Sequence, residues 1–259
     1  MKIQYISDMH LELSNNSKYF KHNYPKVTGD ILIIAGDIMY LGQDITLKNF
    51  WKHCHENYKY TILVPGNHEY YAYYDIMTLD TSWRQDICGY DNVFYAQNQV
   101  ININDENGKN IDIICSTLWS EIPFYSYGDA HCGLSDFHRI KYNGHMYNQD
   151  NYNEQHQYCL EFIKEAVGLS TADKIVVVTH HLPSYQLIQE RFKGDKLNCC
   201  FANNLDDYIY DSRINVWIYG HNHDNKDITI GNTFITSNQF GYYGDKCEVS
   251  YKDGKYILI

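Results

Sequence analysis

Asp30-Ile31-Leu32-Ile33-Ile34-Ala35-Gly36-Asp37 is the stretch on which the reading of this 259-residue chain turns. Its apolar run, rich in β-branched residues, favours a short strand. The lack of polar alternation means a strand covered on both faces. A glycine then lets the backbone turn sharply, and the next side chain is a carboxylate. The same pattern recurs along the chain. Residues 3–6 run into Ser7-Asp8-Met9-His10, and residues 62–64 into Pro65-Gly66-Asn67-His68-Glu69. Residues 176–178 run into Thr179-His180-His181, and residues 216–219 into Gly220-His221-Asn222-His223.

Strands are expected at 3–6, 30–35, 60–64, 111–115, 174–179 and 216–219, with helical patterns at 45–58, 76–88, 154–167 and 204–210. Residues 99–103 and 111–115 read as a hairpin across a polar loop. Beyond Asn232 come short strands at 233–237, 248–251 and 255–259, with Asp253-Gly254 as a hairpin turn. This βαβα order with added hairpins predicts an α/β (α+β) sandwich. No Pro/Gly/Ser-rich linker, charge run or internal repeat divides the chain, so residues 1–259 are expected to form a single domain.

Composition narrows the partners. A formal charge of −11 argues against broad electrostatic binding to nucleic acid or to an anionic membrane. It leaves phosphorylated substrates open, because bound cations invert the local field. There is no signal-peptide pattern and no run of about 18 apolar residues. The eight cysteines include no CxxC pair, so reduced thiols and a cytoplasmic location are expected. Cys199-Cys200 reads as two ordinary thiols in a loop.

Each strand-end motif alone is weak, since Gly-Asp and Gly-Asn are common turn pairs. Together they gather Asp, Asn and His at five strand ends, where ligands of such sheets collect. Mixed nitrogen and oxygen donors suit Mn²⁺, Fe, Zn²⁺ or Ni²⁺ better than Ca²⁺ or an all-oxygen Mg²⁺ cage. A carboxylate between two histidine-rich half-sites can bridge two cations, which clamp a phosphoryl group and acidify a bridging water. In Asp8-x-His10 and His221-x-His223 the i and i+2 side chains would share one face if extended.

The ordered set Asp8-x-His10, Gly36-Asp37, Gly66-Asn67-His68-Glu69, His180 and Gly220-His221-x-His223 resembles the calcineurin-like metallophosphoesterases, over positions 8 to 223. The resemblance implies a four-layer α/β/β/α sandwich around a dinuclear site. It implies Asp8, His10 and His223 on one metal, Asn67, His180 and His221 on the other, and Asp37 as the bridge. It also implies His68 as the catalytic histidine. Protein phosphatases of this superfamily carry an Asp and an Arg soon after the bridging Asp. Here Ile38-Met39-Tyr40-Leu41 follows, which argues against that role.

The expected function is hydrolysis of a small or exposed phosphodiester by a metal-bridged hydroxide, with two divalent ions, Mn²⁺ first. The alternatives are a phosphomonoesterase acting on a nucleotide and, from another class, a non-catalytic binding module on the same fold. Retention of His68 and the full donor set counts against the latter. His181, beside His180, reads as lining the substrate site or as packed. Arg139 or Lys141, within a possible cap over 119–150, could meet the substrate's phosphate. A second cap element is read over 184–202. His53 and His55 read as structural, Trp51 and Trp83 as helical core, and Glu69 as a helix-start carboxylate.

Overall fold

The structure, a computed structural model, describes residues 1–244 and 250–259. Its first six-stranded sheet has β1 (Lys2–Ile6), β2 (Ile31–Ala35), β3 (Tyr60–Val64) and β6 (Tyr90–Gln97) parallel. β15 (Tyr256–Leu258) and β5 (Trp83–Ile87) close its edges antiparallel. The second six-stranded sheet has β14 (Thr233–Ser237), β12 (Val216–Tyr219), β11 (Lys174–Thr179) and β8 (Asn110–Ser116) parallel. β13 (Ile228–Ile230) and β7 (Gln99–Asn104) are its antiparallel edges. A small third sheet joins β4 (Tyr74–Asp75), β9 (Ile140–Tyr142) and β10 (His145–Met146).

Because successive strand side chains point to opposite faces, each continuous apolar run feeds two cores. Ile31, Ile33 and Ala35 of β2 meet Val176 and Val178 of β11 between the two large sheets. Leu32 and Ile34 face outward and pack with Phe50, Trp51 and Cys54 of α1 (Lys48–Asn57). On the opposite side Ile175 and Val177 pack with Ile163 and Val167 of α2 (Gln149–Leu169) and Ile209 of α3 (Asp206–Asp211). The result is the predicted four-layer α/β/β/α sandwich. The ends of β1, β2, β3, β11 and β12 open on one rim.

Three local expectations change. The stretch 76–88 is not a helix: residues 76–78 make one 3₁₀ turn, and Trp83 lies on edge strand β5. Pairing with the open edge of β6 overrides the helical spacing of its apolar residues. Cys88 (φ 53°) and Gly89 (φ 77°) make the tight turn between β5 and β6. Asp253-Gly254 turns the chain into β15, which pairs with β1 rather than folding back as a hairpin. Of the expected strand 248–251, Glu248 and Val249 lie outside the described residues, and Tyr251 is in no strand.

Candidate metal centre

Two groups of donors converge at the rim. In the first, His10 Nε2 and His223 Nε2 are 3.0 Å apart, and His223 Nε2 lies 3.4 Å from Asp8 Oδ1. In the second, His180 Nε2 lies 3.1 Å from Asn67 Oδ1, 3.1 Å from His221 Nδ1 and 3.3 Å from Asp37 Oδ2. Asp37 stands between them, its Oδ2 also 3.9 Å from His10 Nε2. Donors bound to one ion at ~2.1 Å lie about 3.0–3.4 Å apart, so both groups have the spacing of a coordination polyhedron.

The backbone is bent to deliver these groups. Asp8, His10, Asp37, His221 and His223 all have φ between 46° and 82°. The extended geometry expected for the i, i+2 pairs is therefore replaced by left-handed residues. Such residues cost of order 1–3 kcal/mol each and persist where surroundings over-determine them. Here Asp8 N–H donates to Gly36 O at 3.0 Å, His10 N–H to Asp37 O at 2.9 Å, and His221 N–H to Asp8 Oδ1 at 3.0 Å. Gly66 is required for space: a Cβ there would run into Asp37 Oδ1 and His180 Nε2.

Three of the donors have an orienting partner. His180 Nδ1–H donates to Ala35 O at 2.9 Å, which turns the lone pair of Nε2 into the cluster. Asn67 Nδ2 donates to Asp136 Oδ1 at 2.8 Å, leaving its carbonyl oxygen facing His180. Glu12 Oε1 accepts from Nδ1 of His10 at 3.1 Å and from Nδ1 of His68 at 2.8 Å.

Burial opposes ionisation of Asp37, but the imidazoles of His180, His68 and His10 outweigh it and hold the carboxyl well below its usual range. Burial likewise disfavours charge on His180. Asp37, Asp8 and the Ala35 carbonyl prevail and raise it to about 10. His68 is raised to about 9 against burial, by Asp37 and Glu12. His221 and His181 are pushed down, first by burial and then by neighbouring imidazoles. A buried set of carboxylates and convergent imidazoles with such opposed demands suits cations, and the residues present fit a transition-metal pair.

A cavity of about 450 Å³ opens on this cluster. The family model of the calcineurin-like phosphoesterases matches residues 1–225. The chain belongs to that family. It is a metallophosphoesterase, a phosphoric ester hydrolase of a metal-dependent family. Uncharacterized protein L509 of Acanthamoeba polyphaga mimivirus is 25% identical over 269 residues, 93% of this chain and 91% of that one. Phosphopantetheinyl hydrolase from Mycobacterium tuberculosis shares the fold, with TM-score 0.71 and 16% identity over 99% of this chain and 95% of its own. A putative 5′-nucleotidase from Staphylococcus aureus aligns with TM-score 0.47 and 15% identity over 92% of this chain and 48% of its own.

Against this metallophosphoesterase frame, the structure brings Asp8, His10, Asp37, Asn67, His180, His221 and His223 to one rim, with His68 beside them. His68 Nε2 lies 3.9 Å from Asp37 Oδ2, and its ring stacks on Tyr71 at 4.3 Å. His181 is buried, with Nε2 at 3.0 Å from Tyr152 OH and its ring 4.1 Å from that of His221. Arg139 stands outside the cavity lining, its guanidinium over the Tyr71 ring at 5.3 Å.

Three residues have roles that the local sequence does not mark. Glu12 supplies the acidic partner of His68 that is absent after Asp37. Its only signal was its place two residues beyond His10. Asp136 left no local trace, since it lies 69 residues from Asn67. Glu69 does stand at a helix start, in the first turn of the 3₁₀ segment His68–Tyr70, and it has a further role. It is fully buried and accepts from the N–H groups of Gly66, Asp37 and Ile38 at 2.6, 2.9 and 2.7 Å, tying two donor loops together.

Proposed function

We propose that this chain hydrolyses a small organic phosphodiester with two divalent cations, Mn²⁺ foremost. Asp8, His10 and His223 would hold one cation and Asn67, His180 and His221 the other, with Asp37 bridging. The observation that supports this is the position of Asp37, its Oδ2 within 3.3–3.9 Å of a nitrogen from each donor group. Two such ions supply charge to clamp the phosphoryl oxygens and lower the pKa of an attacking water.

The chain's own residues supply the rest. His68 is held by Glu12 through Nδ1, so Nε2 carries the transferable proton toward the cavity. Carboxylates raise its basicity and cations alongside would lower it, which brings it toward the working range of a general acid. Donation from Nε2 to the leaving oxygen matters most for a poor alkoxide leaving group, the situation of an alkyl diester. Asp136 and Tyr71 keep the Asn67 amide from flipping. The fold neighbour is named for hydrolysis of a phosphopantetheinyl group, which fits an organic phosphoester.

A phosphomonoesterase is the second reading, because Arg191 lines the cavity and could add charge for a dianion. Its exposed place at the mouth favours the diester. The test is kcat/KM of Mn²⁺-loaded protein for bis(4-nitrophenyl) phosphate against 4-nitrophenyl phosphate. The diester should be turned over faster, and a clear preference for the monoester would reverse the assignment.

A further inference from the structure

The cavity above the cluster is graded from floor to mouth. Its floor holds the buried Asp37 and Asn67 together with His221. Its wall is mostly apolar, with Leu134 and Ile188 buried and Leu197 and Phe201 half-buried beside the polar Gln189 and Asn198. Its mouth carries the exposed Arg191, Phe192 and Asp195, the arginine being its one cation among the described residues. A volume of about 450 Å³ is that of a small-molecule site.

Arg191 differs from the other arginines. Arg84 lies over Phe94 at 3.6 Å and faces Asp86 at 3.6 Å. Arg139 covers Tyr71. Arg213 donates to the carbonyls of Ser170 and Ala172 at 2.9 and 3.2 Å. Arg191 rests on the ring of Phe192 at 4.7 Å and makes no ion pair or side-chain hydrogen bond among the described residues. Asp224 feels its charge without pairing with it.

We infer that this cavity selects a phosphoester whose organic arm is apolar along its length and anionic at its far end, with Arg191 receiving that end. The inference rests on the proposed function for placing the phosphoryl group on the floor. An apolar wall offers a charged group nothing in exchange for its hydration, so it suits the body of the arm. On a chain of net charge −11, an uncommitted guanidinium at the mouth is where a second negative charge gains. Its planar fork matches a carboxylate or phosphate. Arg191 is thus a specificity residue rather than part of the reacting centre.

Calorimetric binding of three probes to the Mn²⁺-loaded protein tests this: methylphosphonate, hexylphosphonate and 6-phosphonohexanoate. Hexylphosphonate should bind at least about tenfold more tightly than methylphosphonate, through burial of the chain. The terminal carboxylate should add about threefold, as for an exposed ion pair, and this gain should fade at high salt. In Arg191→Ala the ratio of 6-phosphonohexanoate to hexylphosphonate affinity should fall to about one. Arg191→Lys should restore part of it. Equal binding of all three probes, or an unchanged ratio in Arg191→Ala, would overturn the inference. Bis(4-nitrophenyl) phosphate turnover in the same preparation separates the two readings. Hydrolysis with equal probe binding overturns the arm alone, and neither hydrolysis nor binding overturns both.

Discussion

One carboxylate oxygen, Glu12 Oε1, accepts from Nδ1 of His68 at 2.8 Å while also holding Nδ1 of His10 at 3.1 Å. The residue read as proton donor and a residue read as metal donor are therefore oriented by the same acid. In most catalytic histidines the orienting carboxylate fixes the tautomer and stabilises the imidazolium. Glu12 is placed to do both here. Burial opposes its ionisation, but His10 and His68 hold it below its usual range.

His68→Ala should lower kcat by roughly 10²–10⁴ with metal content unchanged, as for loss of a general acid. Glu12→Gln should lower kcat by a smaller factor, about 10-fold or more, and the double variant should be far less than multiplicative. Steady-state kinetics with elemental analysis on each variant checks this. Full multiplicativity would mean that Glu12 acts on something other than His68.

Gly66→Ala tests the crowding behind the cluster. Its added methyl meets Asp37 Oδ1 and His180 Nε2, groups that backbone bonds pin in place. The variant should lose about 1–3 kcal/mol of stability and most of its affinity for Mn²⁺. Urea denaturation and metal titration read the two effects. A fully stable, metal-replete Gly66→Ala protein would show that the site has room to relax.

The metal-free protein should lose stability as pH rises. His68 and His180 are raised from 6.5 to about 9 and about 10 in the folded state. Groups raised on folding contribute fully below 6.5 and lose that contribution as pH climbs through the folded values. Urea midpoints in chelator should thus fall between pH 6.5 and 10. Mn²⁺-loaded protein, whose His180 would be neutral and bound, should show a shallower decline. A flat or rising metal-free midpoint would contradict the charge pattern of the cluster.

The parts of this account that were legible in the sequence share one cause. Asp8, Asp37, Asn67, His180 and His221 each follow a short apolar run, and a strand buried on both faces is hard to mistake. The order of those ends carried both fold and cluster. Strand β5 was hidden because its apolar residues, Trp83 and Ile87, also fit helical spacing, and only an open sheet edge decides between them. Glu12 and Asp136 were illegible as site residues for a different reason. They come from loops and short helices whose approach to the cluster is set by tertiary packing, with no local pattern to mark it. The left-handed turns at Asp8, His10 and His223 belong to the same class, since the hydrogen bonds that hold them come from other segments, Gly36, Asp37 and the Gln239 side chain.

If Asp37 joins two ions in one site, as proposed, metal stoichiometry will show it. Elemental analysis of protein loaded with Mn²⁺ and freed of excess metal should find about two ions per chain. Asp8→Ala should retain about one, and Asp37→Ala, which strips a ligand from both positions, should retain less than one. Only trace metal in the unmodified protein, or an Asp37→Ala variant that still holds two ions, would contradict the account.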